Sequence, residues 1–216
     1  MTYVWWAIGF VAFFGCERVD KQAHVPAAVV FAYNGQEIFV GNEDVEPDPN
    51  HQYQGALKNL QAAFVNASPA KDLPAGSVGM LISYADKPTV QLPMQPIANL
   101  TPAAFGTQLT YRGRVGNALV DAVELGVDKL SEVSADRRIL VVFSDGTDTD
   151  MATASDRLHA MKPQLEREHI NAYLVMYGTD GPTPAAPGFY DRAVTVNSID
   201  GIAFELGAIW GNAPHR

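Results

Sequence analysis

Short, uninterrupted apolar runs alternate along the chain with longer amphipathic stretches, and this alternation constrains the fold more than any other feature. The clearest runs lie within residues 25–33, 77–86, 139–143 and 170–178. An apolar run without polar alternation is typical of a strand that is buried on both faces, as in a parallel sheet. Strands separated by long helices indicate a sheet covered on both sides. We therefore predict an α/β fold with a doubly wound, mostly parallel sheet and helices on both faces.

One strand is predicted to run against the others. Residues 77–86 and 89–93 are separated only by the Lys87-Pro88 break. A parallel pair needs a crossover of a dozen or more residues, so these two segments indicate an antiparallel hairpin. Pro93 at the end of the second arm suits an edge strand, because proline has no N–H to donate to a further neighbour.

Apolar residues at helical spacing predict the main helices, which cover residues 53–64, 115–133, 152–168 and 199–210. Pro163 falls inside the third of these, where its missing N–H and its ring are expected to kink or split the helix. Trp210, at the end of the last helix, is predicted to be a core residue.

The N-terminal segment is treated apart from the fold. Residues 2–16 carry no charged side chain and end in Cys16, the only cysteine. The run is shorter than the roughly 20 residues of a membrane-spanning helix and has the size of a signal-peptide apolar region. A cysteine directly after Gly15, with polar residues following, resembles a bacterial lipoprotein signal, which implies lipidation of Cys16. An uncleaved anchor and a buried N-terminal strand are the alternatives.

These features predict three parts of the chain: an export segment over residues 1–16, a short linker over 17–26 and a single domain over 27–216. They also predict a location in the bacterial cell envelope, with membrane anchoring through Cys16. The formal net charge of −9 argues against nucleic acid as the main partner, because phosphate binding needs a basic face. It leaves open a cationic partner or a divalent cation.

Three local sequences, in this order, resemble the von Willebrand factor type A (VWA) domain. They are residues 76–93 (GSVGMLISYADKPTVQLP), 115–126 (VGNALVDAVELG) and 137–150 (RRILVVFSDGTDTD). The resemblance covers the chain from about residue 27 to its end. It implies a doubly wound sheet whose ligands bind in the crevice outside the carboxyl ends of the strands.

The metal site that the resemblance implies is largely lost. Metal-binding members use an Asp-x-Ser-x-Ser after the first strand, a Thr ahead of the third helix, and the Asp of Ser/Thr-Asp-Gly. Here Asn34, Gln36 and Ile38 stand at the first three positions, the Thr position falls near Gly113, and Asp145 alone is intact. Because Mg²⁺ needs an array of oxygen ligands, we expect the site to be lost or very weak and no resident cofactor. The implied binding face consists of Asn34, Gln36, Arg112, Arg114 and Asp145.

Two alternatives keep a charged group at this face. Acidic loop residues could rebuild a Mg²⁺ or Ca²⁺ site with Asp145, the candidates being Asp44, Glu46, Asp48 and Asp148. Otherwise Arg112 or Arg114 replaces the metal and pairs with Asp145. The simplest interpretation is that these acids are solvated loop residues, and that Asp148, Asp150 or Thr153 caps the helix that follows.

No motif in the sequence indicates catalysis. The chain lacks the glycine-rich loops that bind nucleotides and the Gly-x-Ser-x-Gly of hydrolases, and its five histidines are scattered. We therefore expect a protein that is not an enzyme. The first hypothesis is an envelope-displayed module that binds another protein through the loop face. The second is a structural subunit of an envelope assembly in which the degenerate metal site has no role.

Overall fold

The computed structural model describes residues 25–35, 55–105, 118–178 and 183–211. It contains a six-stranded sheet in the order β3-β2-β1-β4-β5-β6. The strands are β1 (Ala27–Asn34), β2 (Val78–Tyr84), β3 (Pro88–Pro96), β4 (Arg137–Ser144), β5 (Ile170–Tyr177) and β6 (Arg192–Val196). All neighbouring pairs are parallel except β2–β3, which is antiparallel. The predicted fold class and the antiparallel edge strand are therefore confirmed.

Helices cover both faces of this sheet. They are α1 (Ala56–Asn66), the single turn α2 (Pro69–Asp72), α3 (Leu119–Ser131), α4 (Met151–Glu168) and α5 (Ile199–Trp210). The last helix begins and ends where the apolar pattern places it. Helix α4 continues through Pro163 without interruption, so the predicted split there is wrong. Pro163 lies on the exposed side of α4, where water can bond the carbonyl group that the proline leaves without a donor.

Two apolar cores lie on opposite faces of the sheet because successive strand residues point to opposite sides. Val29, Phe31 and Tyr33 of β1 face α1 and α5, whereas Val30 and its even-numbered neighbours face α3 and α4. Trp210 is buried in the first core, as predicted, and its indole N–H donates to the carbonyl oxygen of Ala67 at 2.9 Å.

Helix α3 packs unusually close to the centre of the sheet. A Cβ atom on Gly126 would come within 2.8 Å of Leu140 Cδ1 on β4 and 3.3 Å of Val30 Cγ1 on β1. A larger residue here would force the buried Leu140 side chain to move, so glycine favours the close packing of α3 on the two central strands. The start of α3 is thereby held beside the carboxyl ends of β1 and β4.

Candidate functional site

The carboxyl ends of the parallel strands bring several polar side chains together. Asn34, the last residue of β1, lies opposite Tyr84, the last residue of β2. On the other side of β1, Tyr33 lies opposite Phe143, so that Ser144 follows beside Asn34. We call Asn34, Tyr84 and the loop of residues 144–150 the carboxyl-end face. Its position is the one at which doubly wound sheets bind ligands.

Residues of the Ser-Asp-Gly turn after β4 donate hydrogen bonds to the Asp145 carboxylate. Asp145 Oδ1 accepts from the Ser144 hydroxyl at 3.2 Å and from the Thr147 backbone N–H at 3.0 Å. Asp145 Oδ2 accepts from the Thr147 hydroxyl at 2.9 Å. The Ser144 oxygen in turn accepts from the Gly146 N–H at 3.0 Å. The turn therefore holds the Asp145 carboxylate towards its own loop.

Gly146 is required at this turn for two reasons. Its φ angle is +86°, a left-handed conformation that favours glycine. A Cβ atom would also lie 2.8 Å from Met176 Sδ and 3.3 Å from Pro184 Cβ. The glycine thus lets the β4 loop pass close to the end of β5.

Asp148 connects the β4 loop to helix α3. Its Oδ2 accepts from the Val120 N–H at 2.9 Å, in the first turn of α3, and its Oδ1 accepts from the Asp150 N–H at 3.0 Å. Ala118, at the N-cap position of α3, has no side-chain oxygen to make this bond. A carboxylate at a helix N-terminus is favourable because it meets unpaired N–H groups and the positive end of the helix dipole. Asp148 therefore fixes α3 to the loop after β4.

Asp150 caps α4, the helix that follows the loop. This is one of the three candidate caps that the sequence predicted. Its side chain accepts from the Thr153 N–H at 3.3 Å, at the start of α4. Hydrogen bonding from Thr153 lowers the pKa of the Asp150 carboxyl group. Asp148 and Asp150 are close in sequence but cap two different helices, α3 and α4.

Three tyrosine hydroxyls are buried in the two cores next to the strand ends or within reach of the β4 loop. Those of Tyr33, Tyr84 and Tyr190 form no hydrogen bond of acceptable geometry within the described part of the chain. Burial raises the pKa of Tyr33 to about 12, against a smaller opposing effect of Ser83. Burial also raises the pKa of Tyr84, with Ser144 opposing and Asp145 adding to the increase. Buried hydroxyls are usually paired, so this group is unusual.

Tyr190 belongs to the same group of side chains as Tyr84. Burial raises its pKa, and the negative charge of Asp148 raises it further. Asp148 likewise raises the pKa of Tyr84, so both phenols lie within the electrostatic reach of one carboxylate. A phenol beside a carboxylate stays protonated, because ionisation would place two negative charges close together.

The structure describes three of the predicted site residues. Asn34 is fully buried at the end of β1, and Asp145 and Asp148 are partly exposed on the β4 loop. The remaining predicted residues lie outside the described parts of the chain: Cys16, Gln36, Asp44, Glu46, Asp48, Arg112 and Arg114. Their roles in binding, metal coordination and lipidation stay predictions.

The described residues do not fit a divalent metal ion well. Within residues 25–35, 55–105, 118–178 and 183–211 there is no group of three or more His, Cys, Asp or Glu side chains that could hold one. Asn34 supplies a neutral amide where metal-binding relatives have a carboxylate, and both Asp145 oxygens already accept hydrogen bonds. Asp148 is occupied by two backbone N–H groups. This set of donors is poorer than Mg²⁺ or Ca²⁺ requires.

Sequence reasoning missed the tyrosines. Tyr33, Tyr84 and Tyr177 each stand at or next to the end of a strand, in the local sequences AYN, SYA and MYG. This repeated placement was a usable signal, because strand ends at one edge of a parallel sheet lie side by side. Tyr177 differs from the others in that its hydroxyl accepts from Asn59 Nδ2 at 2.6 Å.

Comparison with solved structures identifies the fold as that of the VWA domain. A von Willebrand factor type A protein from Catenulispora acidiphila matches with a TM-score of 0.59 and 11% identity, over 87% of this chain and 42% of that one. No family model and no curated protein matches the chain at the sequence level. The resemblance seen in the sequence is therefore confirmed at the level of the fold.

Two further structures show the range of proteins that share this fold. An aerotolerance-related membrane protein from Bacteroides fragilis matches with a TM-score of 0.56 and 14% identity, covering 85% of this chain and 96% of that chain. The manganese-loaded TRAP protein of Plasmodium vivax matches with a TM-score of 0.56 and 11% identity, over 86% and 72%. At these identities the likeness concerns the fold alone.

Proposed function

We propose that this protein is a non-catalytic protein–protein interaction module of the bacterial cell envelope, which binds a partner protein through its carboxyl-end face. The observation that carries the proposal is the concentration of polar groups where β1, β2 and β4 end. Asn34 and Ser144 are fully buried there, beside the partly exposed carboxylates of Asp145 and Asp148. Buried polar groups cost free energy, so their accumulation at the ligand-binding edge of the fold indicates a functional role.

The site has no activated nucleophile among the described residues. Ser144 is the best candidate, but its hydroxyl donates to Asp145 and its oxygen accepts from the Gly146 N–H. His159 and His169 lie within and at the end of α4, away from the β4 loop. A serine without a neighbouring base is a weak nucleophile, which favours binding over catalysis.

The envelope location rests on the N-terminal segment and on one structural likeness. The apolar run ending in Cys16 predicts export, and one protein with the same fold is described as a membrane protein. Within the described residues no helix has the length and apolar character needed to cross a membrane. Attachment through a lipid on Cys16 is the arrangement that we propose. Residues 17–26 would then link the lipid to the domain.

A structural subunit of an envelope assembly is the second candidate. Phe204 on α5 favours it, because its side chain is 71% exposed on a helix that carries only two charged residues, Asp200 and Glu205. Glu205 faces inward and pairs with Arg192 at 2.7 Å. In this arrangement binding would be made by α5, and the carboxyl-end face would have no role.

Charge reversal separates the two candidates. The full-length protein and the variants Arg112→Glu, Asp145→Lys and Phe204→Ser are expressed in cells, cross-linked, and compared for the partner bands that they capture. Asp136→Lys is the matched control, since it makes the same charge change at the opposite end of β4. We expect Arg112→Glu and Asp145→Lys to lose the partner while Asp136→Lys keeps it. Loss in Phe204→Ser alone, with all variants folded by circular dichroism, would favour the structural subunit.

A further inference from the structure

Helix α5 carries the most exposed large apolar side chain in the described parts of the chain. Phe204 is 71% exposed, and the next of these side chains, Val65, is 55% exposed. Burying a phenylalanine side chain is favourable by about 1.5–3 kcal/mol, so its ring is costly to leave in water. One exposed apolar side chain is ordinary on a protein surface, and its surroundings decide whether it marks an interface.

The residues around Phe204 leave its ring uncovered. On a helix surface the neighbours of a residue lie three and four positions away. For Phe204 these are Asp200, Gly201, Gly207 and Ala208, none of which has an apolar side chain larger than a methyl group. A Cβ atom on Gly207 would meet nothing within 4 Å, so the space beside the ring is open. We call Gly201, Phe204, Gly207 and Ala208 the α5 face, which consists of one large ring beside a shallow hollow.

The helices on this side of the sheet carry few charges. Helices α1 and α5 together have three charged residues, whereas α3 and α4 on the other side have ten. Of the three, Glu205 is buried and pairs with Arg192. The other two, Lys58 and Asp200, are exposed and have opposite charges. Two copies of a chain with a net charge of −9 repel each other, and this side of the molecule is where the repulsion is smallest.

We propose that the α5 face binds the same face of a second copy of this chain, in a dimer with twofold symmetry. A twofold interface needs a surface that is complementary to itself, because a contact of one residue with another is always repeated in reverse. With the two helices crossing in opposite directions at the level of Leu206, Phe204 of each copy lies over Gly207 and Ala208 of the other. The two Asp200 residues are then about 18 Å apart along the helix axes, beyond the screening length of about 8 Å.

The size of this contact predicts a weak dimer. Burying both Phe204 rings would remove about 300 Å² from water, whereas stable specific interfaces bury about 1,200 Å² or more. The rest of α5, which is about 18 Å long, adds to this area. An interface made by one helix still stays at the low end of the range. We therefore expect association that depends on protein concentration.

Sedimentation equilibrium of the full-length protein over a range of concentrations tests the proposal. We expect the average mass to rise from that of one chain, 23.3 kDa, towards that of two. Phe204→Ser should weaken the association at least about tenfold, because buried aromatic residues dominate the binding energy of interfaces. A parent protein that keeps the mass of one chain at every concentration would overturn the proposal. So would a Phe204→Ser variant that associates as the parent does, for example through residues 1–16.

Filling the hollow distinguishes a fitted contact from general apolar attraction. Gly207→Leu should fold, because nothing lies within 4 Å of the added Cβ and leucine favours a helix. In the proposed dimer this leucine occupies the place of the Phe204 ring of the second copy, so we expect association to weaken at least about tenfold. Unchanged or stronger association would mean that exposed apolar area alone drives it, and would overturn the proposal.

Val90→Ser is the matched control. Val90 is an exposed apolar residue of β3, which lies at the opposite edge of the sheet from β6. We expect this variant to associate as the parent does. A loss equal to that of Phe204→Ser would mean that the α5 face is not the contact, and would overturn the proposal as well.

This inference goes beyond the proposed function, and the two can fail separately. Asp145→Lys leaves the α5 face intact, so it should dimerise as the parent does even where it loses its cross-linked partner. Mass spectrometry distinguishes the two cross-linked bands, because the dimer band contains this chain alone. A dimer that is lost in Asp145→Lys would place the contact at the carboxyl-end face and would overturn the inference.

Discussion

The two ends of the sheet differ in how completely their buried polar groups are hydrogen-bonded. At the amino end of β4, Arg137 donates to the carbonyl oxygens of Ile209 and Trp210, at the end of α5. The next residue, Arg138, donates to Val133 after α3 and to Glu168 at the end of α4. Consecutive strand residues point to opposite faces of the sheet. The two arginines therefore donate hydrogen bonds to carbonyl groups at the ends of three helices. At the carboxyl end, by contrast, the buried hydroxyls of Tyr33 and Tyr84 form no hydrogen bond of good geometry with the described residues.

This comparison distinguishes polar groups that complete the fold from polar groups that are available for a function. The last carbonyl groups of a helix have no partner within the helix, and a cation there satisfies them and complements the helix dipole. The amino end therefore uses its charges to complete the fold. The carboxyl end keeps polar groups whose pairing is incomplete within the described residues, which is a cost that folding alone does not explain.

Truncating Arg138 should have the largest effect on stability. Arg138→Ala removes bonds of 2.7 to 3.1 Å to the carbonyl groups of Val133, just after α3, and Glu168, at the end of α4. Bonds to charged groups contribute more than neutral ones, so we expect a loss of about 2–3 kcal/mol in the free energy of unfolding, measured by urea denaturation. Arg157→Ala instead removes two exposed ion pairs, with Asp121 and Glu124, and should cost no more than about 1 kcal/mol. Equal costs for the two arginines would contradict the special role of the amino end.

A side chain at Gly146 should be the most damaging small change at the carboxyl end. Gly146→Ala combines a positive φ angle with a contact of 2.8 Å to Met176, and we expect a loss of about 1–2 kcal/mol. Gly207→Ala is the control, because nothing lies within 4 Å of the added Cβ and alanine favours a helix. That variant should be as stable as the parent or more so in thermal unfolding. A destabilised Gly207→Ala with an unchanged Gly146→Ala would refute the close approach of the β4 loop to β5.

Removing the cap from α3 should cost somewhat less. Asp148→Ala leaves the Val120 N–H without its acceptor, and an N-cap contributes about 1 kcal/mol. Asp148→Asn retains an acceptor oxygen and should recover most of that loss. Hydrogen exchange of the Val120 amide reports the same bond directly, with faster exchange in the alanine variant. Unchanged exchange there would mean that α3 is held without Asp148.

The smallest expected change in the free energy of unfolding comes from removing single tyrosine hydroxyls. Its sign should differ between Tyr84 and Tyr177. Tyr84→Phe deletes a buried hydroxyl that has no hydrogen bond of good geometry with the described residues, and should be neutral or stabilising by up to about 1 kcal/mol. Tyr177→Phe breaks the bond from Asn59 and should destabilise by about 1 kcal/mol. Urea denaturation of both variants gives the comparison. A clear loss in Tyr84→Phe would show that its hydroxyl is paired after all.

The sequence predicted the four buried strands β1, β2, β4 and β5, because buried parallel strands are apolar runs that propensity and length both identify. It also predicted the antiparallel edge strand and the last helix. It did not predict the continuous α4, since the cost of Pro163 depends on whether the freed carbonyl faces water. It also placed Asp148 among the candidate caps of the following helix. The structure shows Asp148 capping α3, a contact between residues 28 positions apart that local spacing does not report.

We propose that the hydrogen bonds of Asp145 and Asp148 hold the carboxyl-end face together in place of a metal ion. Thermal unfolding of the full-length protein in EDTA, Mg²⁺, Mn²⁺ and Ca²⁺, repeated with Asp145→Ala, tests it most directly. A metal ion at 100 times its Kd would stabilise the folded state by about 2.7 kcal/mol. We predict the same unfolding temperature in all four conditions for the parent protein. A metal-dependent increase that disappears in Asp145→Ala would contradict the account and would show that the acidic loops have rebuilt the site.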